Sequence, residues 1–491
     1  MVVKNDELVD PVVAAERGPA PTRTPYWTWL IPGGLALAVL LTGLGTPSLW
    51  RDEAATISVA RRPLPDILRL LGNIDAVHGL YYLLMHPVIA VFGTNEWALR
   101  LPSALAGAVA VGGVAAIGAR LCSARAGVLA GLLCTVAPMF SRVGQDARSY
   151  ALVMALAVLA SLLLVQATQT GSARWFVAYS AMMALLGAAH LVAALLLAAH
   201  GATLLVHARR AVLARWLASA GAAGAATAPL AALASTQQSA IGWMSSPGLA
   251  ELGEVVSALT GSFTLIVPIV LLVRSRGTAP LVALALPWLL LPPVVLLTVS
   301  LAHPLYNVRY LLFCLPAAAL LAGAGLARLH LPLQAVALVA VVAVVVPPQL
   351  AVRNPRGHLD DLRTTERVLS ALSRPGDAVV FLEGFGRSMS TPYPTGFARL
   401  RDVGLARSPS ASATIDGVSV PDSELRHRLR TAPRVWLLTG LGHKGPASPE
   451  DERKVAARAE ALRPDGSTYA LVERRQVRRL LLSLYERRPG R

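Results

Sequence analysis

Apolar runs dominate the first 350 residues of the chain and recur with short polar breaks. The first, residues 27–47 (WTWLIPGGLALAVLLTGLGTP), has about the 20 residues needed to cross a bilayer core. Similar runs predict ten more spans, at 98–119, 124–140, 150–166, 175–190, 191–207, 216–234, 255–273, 279–299, 310–327 and 331–349. The run from Leu80 to Phe92 is too short to cross and suits an interfacial or re-entrant helix. Such recurrence is not that of one cleaved signal peptide, and the polar start lacks the short basic region of one. The pattern predicts a polytopic α-helical membrane protein with about eleven transmembrane helices plus juxtamembrane helices.

At Arg353-Asn354-Pro355 the long runs stop. Residues 354–491 hold 24 Lys and Arg against 16 Asp and Glu, the balance of a basic soluble domain. A helix pattern at 361–373 leads through Arg374-Pro375-Gly376-Asp377 into the strand-like AVVFLE, and VWLLTG (435–440) reads as a second strand. Ser448 as N-cap, Pro449 at N1 and the acids behind them predict a helix to about Leu462. STYALVE and RRLLLSLYE finish the chain as β-rich stretches, and the Ser-, Pro- and Gly-rich segment 386–425 reads as loop. Three regions result: a cytoplasmic tail 1–26, a transmembrane domain 27–352 and a C-terminal extracytoplasmic α/β domain 353–491.

Charge supplies that orientation. With the N-terminus inside, the short inner loops carry Arg120, Arg125, Arg174, Arg209, Arg210, Arg215, Arg274, Arg276 and Arg328, a positive-inside series. The outer face then receives the loop 49–97, the turn 140–150, the stretch 235–246, the turn 302–310 and everything after Val352. The formal net charge of +17 suits anionic lipid and phosphorylated substrates in a polytopic chain, rather than nucleic acid. Cys122, Cys134 and Cys314 lie in or beside apolar runs, so no disulfide framework is expected. Neither C-x-x-C nor H-E-x-x-H occurs, and the spacing of a structural or hydrolytic zinc site is missing. Lys stands only at 4, 444 and 454, while Arg and Ala abound, a composition that looks like that of a GC-rich, actinobacterial genome.

Candidate chemistry gathers on the outer face. SLWRDEAAT (48–56) puts Asp52 and Glu53 where the first apolar run ends. They read either as solvated or first-turn acids of the following helix or as a general base, whose pKa the bilayer surface would raise. Asp75, His78 and Tyr81 follow in DAVHGLYY, as interface anchors or site residues. Asp146, Arg148 and Tyr150 open a helix in QDARSY, as a cap with a snorkelling Arg or as a second instance of acid, Arg and Tyr. Tyr306 and Arg309 repeat the theme in HPLYNVRY, where Arg309 departs from the positive-inside series. Four separated loops thus bring acids, Arg, His and Tyr to one face. Their simplest shared ligand is a lipid-linked phosphate beside a hydroxylated acceptor, since Arg forks onto phosphate and aromatic faces suit sugars.

Five phrases in order carry a resemblance: RDEA after the first run, HGLYY before a short helix ending FG, EWALRLPSALAG (96–107), SRVGQDARSY (141–150) and NVRYLL (307–312). Together they resemble bacterial members of the protein O-mannosyltransferase and aminoarabinose transferase superfamily, family 39 type glycosyltransferases of the membrane-embedded GT-C fold, over about residues 27–350. The RPGDAVVF region looks like the extracytoplasmic domain of actinobacterial relatives. The resemblance implies transfer of a sugar, mannose first and arabinose as its rival, from a polyprenyl-phosphate donor. The acceptor is a glycolipid, polysaccharide or protein on the outer face, and no nucleotide sugar is used. It makes Asp52 the first-loop acid that serves as base or binds acceptor, with Glu53 beside it, and puts Arg148 and Arg309 where cations hold the carrier phosphate. At His78 the relatives' proline-flanked element is altered, because Gly79 replaces the proline. No cofactor is expected; the adjacent acids could hold a divalent cation, although the family usually works without one. A carrier-lipid flippase is the competing reading, and would need an inward-facing counterpart of the acidic site. A non-catalytic cell-wall assembly subunit, the third reading, makes Asp52 dispensable.

Overall fold

A computed structural model describes residues 25–237, 246–261, 278–442, 447–462 and 468–488. Among them, six helices are long and apolar enough to cross a membrane: Glu96–Leu121, Tyr150–Thr170, Arg210–Thr236, Ala279–Ala302, Val308–Leu326 and Leu331–Val352. Ala124–Val136 and Pro138–Gly144, bent by 68°, make a seventh if counted as one span. The chain is a polytopic α-helical membrane protein, with fewer long spans than the eleven its apolar runs predict.

The difference lies in helix continuity, which hydropathy does not measure. The run 27–47 is helical only over Trp27–Leu41, because Thr42 turns extended and Gly43 takes φ +70°. Side chains claim the carbonyls at that end: the Gln145 amide donates to Leu40 O (2.7 Å) and Thr42 O (2.8 Å), and Arg353 donates to Val39 O (2.8 Å). The runs 175–190 and 191–207 become the shorter helices Ala173–Ala189 and Leu196–His207, separated by an extended His190 and a 3₁₀ turn, Leu191–Leu195. The run 255–273 lies partly outside the described residues, where only its beginning is seen in Leu249–Leu259. Residues 1–24 of the tail, most of the stretch 235–246, and Arg274 and Arg276 lie outside them as well. The short run ending at Phe92 forms Gly79–Phe92, a juxtamembrane length.

Val308–Leu326 is the most enclosed of the long helices, with 83% of its apolar window buried, whereas Arg210–Thr236 and Leu331–Val352 bury only 11%. Small residues permit the close approach. A Cβ on Gly323 would stand 2.5 Å from the Ala130 backbone nitrogen, so any larger residue there would push two helices apart.

The C-terminal α/β unit follows its predicted elements closely. Its five-stranded sheet runs in the order Arg401–Asp402, Ala378–Phe381, Arg434–Gly440, Leu480–Arg488, Thr468–Val477, the first three strands parallel and the last two antiparallel to their neighbours. Alternating strand residues serve the two faces. Val380, Val435 and Leu437 pack with Leu425, Leu429 and Val455 on one side. Val379, Trp436 and Leu438 pack with Leu362, Leu369 and Phe385 on the other. That second cluster includes Ala54 of the first loop, so the sheet face closes directly over the segment that carries Asp52 and Glu53. The segment 386–425, predicted as loop, instead holds the turns Arg387–Ser390 and Pro394–Phe397, a two-stranded ribbon of Leu405–Arg407 with Val418–Ser419, and the start of helix Asp422–Leu429. Elements this short have no periodicity to read.

Candidate active site

Arg51–Ala60 is a helix entered from an extended Trp50 (φ −130°, ψ 176°), with Asp52 and Glu53 in its first turn, where the helix dipole favours anions. Successive side chains on a helix diverge by about 100°. The two acids therefore face different surroundings.

Glu53 turns inward and is fully buried. Arg100 of helix Glu96–Leu121 grips both of its oxygens (Nε to Oε1 and Nη2 to Oε2, each 2.7 Å), and the Ala147 amide donates to Oε1 at 3.0 Å. Arg100 spends its other donors on Leu44 O, Pro47 O and Ser48 O. The pair thus ties the first outer loop, the next helix and the turn at 146–148 into one unit. Both Glu53 oxygens are engaged by Arg100, so Glu53 has no free carboxylate edge to share a cation with Asp52. Among the described residues no group of three or more His, Cys, Asp and Glu side chains could hold a metal.

Asp52 turns toward the charged cluster and keeps about a quarter of its side chain exposed. Its Oδ2 accepts from Arg309 Nη1 at 2.7 Å. Burial acts to raise its pKa, but the charges of Arg148 and then Arg309 outweigh it and hold the carboxyl below the ordinary range. The sequence expectation of a raised pKa is corrected here: two guanidiniums, not the bilayer surface, set the local field. Arg148 also donates from Nη2 to His78 Nε2 at 2.9 Å, which makes that nitrogen an acceptor. Burial first and Arg148 second push the His78 pKa down to about 4, so the ring is neutral at ordinary pH. Asp75, in left-handed backbone at φ 64°, lies 3.7 Å from the same nitrogen and accepts from the Tyr82 hydroxyl. A Cβ on Gly79 would approach Leu71 Cδ1 to 2.9 Å, a tight contact.

Asp146 accepts from Trp50 Nε1 at 3.0 Å and is buried beside the other acids. Burial and the Glu53 charge, opposed by the Trp50 bond, push its pKa up to about 7. Tyr150 is buried next to this cluster, close enough to interact with the charges of Arg148, Arg309 and Asp52. The two remaining tyrosines are placed differently. Tyr81 packs in a small apolar cluster with Ile57, Met85 and Ala147, its hydroxyl 3.4 Å from Ser103 Oγ, which donates to Arg148 O, and it is close enough to interact with the charges of Asp146, Arg148 and Glu53. Tyr306 donates to Glu254 Oε2 (2.9 Å) and Glu251 O (3.3 Å), partners outside the cluster.

Several residues in the site escape a sequence reading. Arg309 lies over the Trp50 ring at 5.1 Å, and His358 stacks on that ring at 5.6 Å with planes 8° apart. Asp360 holds Arg51 through two bonds of 2.7 and 3.1 Å. His358 is buried; burial, then the charges of Arg100 and Arg142, keep its pKa well below normal. His190, whose Nδ1 is buried with no hydrogen-bond partner among the described residues, stands 4.8 Å from the Tyr310 ring and 6.3 Å from that of Tyr150. The extended His190 that interrupts the predicted spans is thus next to the site. The C-terminal unit also latches the loop elsewhere: Arg363 pairs with Glu96 at 2.6 Å, and Tyr393 accepts from the Leu49 amide while donating to Glu96.

The assembled chemistry is one ionised, partly exposed carboxylate with two guanidiniums beside it, a neutral imidazole and aromatic neighbours. Comparison with known proteins agrees with this architecture. A family model described as dolichyl-phosphate-mannose-protein mannosyltransferase matches residues 80–233. No curated protein sequence matches the chain. Among solved structures, ArnT from Cupriavidus metallidurans in the apo state is similar at 15% identity, covering 92% of this chain and 97% of that one with a TM-score of 0.59. The same protein bound to undecaprenyl phosphate is similar at 14% identity, covering 93% and 98%, with a TM-score of 0.58. Likeness over nearly the whole of both chains shows a shared fold: a polytopic α-helical membrane domain carrying a C-terminal α/β domain.

Proposed function

We propose that the chain is a membrane glycosyltransferase of family 39 type that moves a sugar, mannose in the first instance, from a polyprenyl-phosphate donor to a hydroxylated acceptor on the outer face. The observation that carries this reading is the Asp52–Arg309 pair at 2.7 Å, with the Arg148 charge beside it, at the mouth of a GT-C fold. The solved relative with undecaprenyl phosphate bound supports a donor of this class. In the proposed reaction the donor phosphate draws Arg309 and Arg148 to itself by charge-assisted hydrogen bonds. Asp52, relieved of its cation, recovers basicity and accepts the acceptor's hydroxyl proton as the oxygen attacks the anomeric carbon. The bond from that carbon to the phosphate oxygen breaks, and the electron pair leaves on polyprenyl phosphate, whose charge the two guanidiniums balance. Attack opposite the leaving group inverts the anomeric centre.

Membranes carrying wild type or Asp52→Asn, given radiolabelled polyprenyl-phosphate mannose, test the reading. Label passing to product with the wild type alone is the expected outcome. Equal transfer by both removes Asp52 as base. Movement of the labelled lipid across the bilayer without any product argues for the flippase alternative.

A further inference from the structure

Beyond the charged cluster, a cavity of about 330 Å³ opens between the far end of helix Arg51–Ala60 and the C-terminal domain. That volume lies at the lower end of the range of small-molecule sites. Its wall is apolar where Phe397 stands near Phe381, over whose ring Arg387 lies at 5.5 Å. Its rim is polar, with the hydroxyl residues Ser390, Thr391 and Ser410 and the carboxylate of Asp402. An apolar face under a rim of hydroxyls, carboxylate and guanidinium is the chemistry that a sugar ring presents in complement.

Charge narrows the class. Asp402 is spent on Arg387. Arg62 is buried and donates to Ser58 and to backbone carbonyls, Thr414 O at 2.8 Å among them, with no carboxylate in direct contact among the described residues. Arg61 is exposed at the mouth and its guanidinium has no partner among the described residues. An unspent guanidinium beside a saccharide-sized hollow favours a ring that carries a negative charge.

Position gives the cavity its use. Ser58 and Arg61 lie six and nine residues beyond Asp52 on or just past one helix, a displacement of about 9–14 Å along its axis. Thr391 spans part of the gap, lining the cavity while its hydroxyl reaches Ala54 O at 3.4 Å. We infer that this cavity is an acceptor subsite that holds an acidic saccharide unit while a neighbouring unit's hydroxyl reaches Asp52. The subsite role rests on the proposed transferase reading; the binding itself does not.

The test is calorimetric titration of the purified full chain in detergent with three probes: a galacturonate trimer (carboxylate), mannose 6-phosphate (phosphate) and neutral mannotriose. The wild type should bind an anionic probe, and mannotriose about tenfold more weakly. Whichever anionic probe binds more tightly identifies the anion. Arg61→Ala should weaken anionic binding by about tenfold. Ser410→Trp, at an exposed position on the mouth, should abolish binding with thermal stability unchanged. Uptake unaffected by Ser410→Trp, no uptake of any probe, or binding of mannotriose as tight as that of the acids overturns the inference. Binding by a chain that transfers no labelled sugar supports the cavity while removing the transferase reading. Transfer by a chain that binds none of the probes does the reverse.

Discussion

Asp52 and Glu53 are adjacent in sequence and opposite in situation. The Glu53 side of the first-loop helix is closed: a fully buried carboxylate, both oxygens held by Arg100, stitched to three backbone carbonyls and one amide. The Asp52 side is open: one guanidinium at 2.7 Å, another within electrostatic range, and part of the carboxylate left to solvent. A buried ion pair with every donor satisfied gives geometry rather than chemistry. In the proposed reaction the closed side holds the helix while the open side exchanges its partner for the donor phosphate.

The contrast can be broken in order of effect. Asp52→Asn should lower transfer by about 10²–10⁴-fold, the range of a lost general base, with melting temperature unchanged. Arg100→Ala leaves Glu53 buried without a cation and should cost roughly 3–5 kcal/mol of stability, read as a large fall in melting temperature in detergent. Arg309→Ala should raise the KM for donor by about 10–100-fold, the worth of a hydrogen bond to a charged group; an unchanged KM would remove Arg309 from the donor site. Asp360→Asn frees Arg51 beside the reacting carboxylate and should lower kcat by about tenfold with donor KM little altered. A rise in KM alone would assign Asp360 to binding instead of positioning.

The smallest effect concerns pH. The Asp146 carboxyl has its pKa raised to about 7 in the folded protein, so its contribution to stability is complete below the ordinary carboxylate pKa and is lost as pH rises toward about 7. Asp146→Asn keeps an acceptor for Trp50 without the charge. Its melting temperature should vary less than that of the wild type between about pH 5 and about pH 8, and exceed it at the upper end. Parallel curves for the two proteins would show that Asp146 does not titrate there.

Much of this contrast was legible in sequence, and its limits have physical causes. Asp52, His78, Asp146, Arg148, Tyr150 and Arg309 do converge, because acid, Arg and Tyr at apolar helix starts are costly unless paired. Glu53 could not be separated from Asp52, since adjacency along a chain says nothing of which face a helix turns inward. Arg100 sits within EWALRLPSALAG, and a lone Arg at that depth was the available signal for the buried pair. Tyr306 shares the composition of the site and none of its contacts, which composition alone cannot distinguish, whereas Tyr81 lies against the turn that carries Asp146 and Arg148. His358 and Asp360 come from a segment more than 300 residues beyond Trp50 and Arg51, and only the docking of the α/β domain brings them to the site. The same holds for the spans. The interruptions at Thr42 and His190 arise from side-chain capping and backbone conformation, neither of which an apolar count registers.

Parallel measurement of transfer rate and melting temperature in Asp52→Asn and Glu53→Gln, in one membrane preparation with radiolabelled polyprenyl-phosphate mannose, tests the division of labour most directly. The account predicts that Asp52→Asn melts with the wild type and does not transfer, while Glu53→Gln loses stability and transfers in proportion to the folded protein that remains. A stable but inactive Glu53→Gln, or an Asp52→Asn that transfers at the wild-type rate, would contradict it.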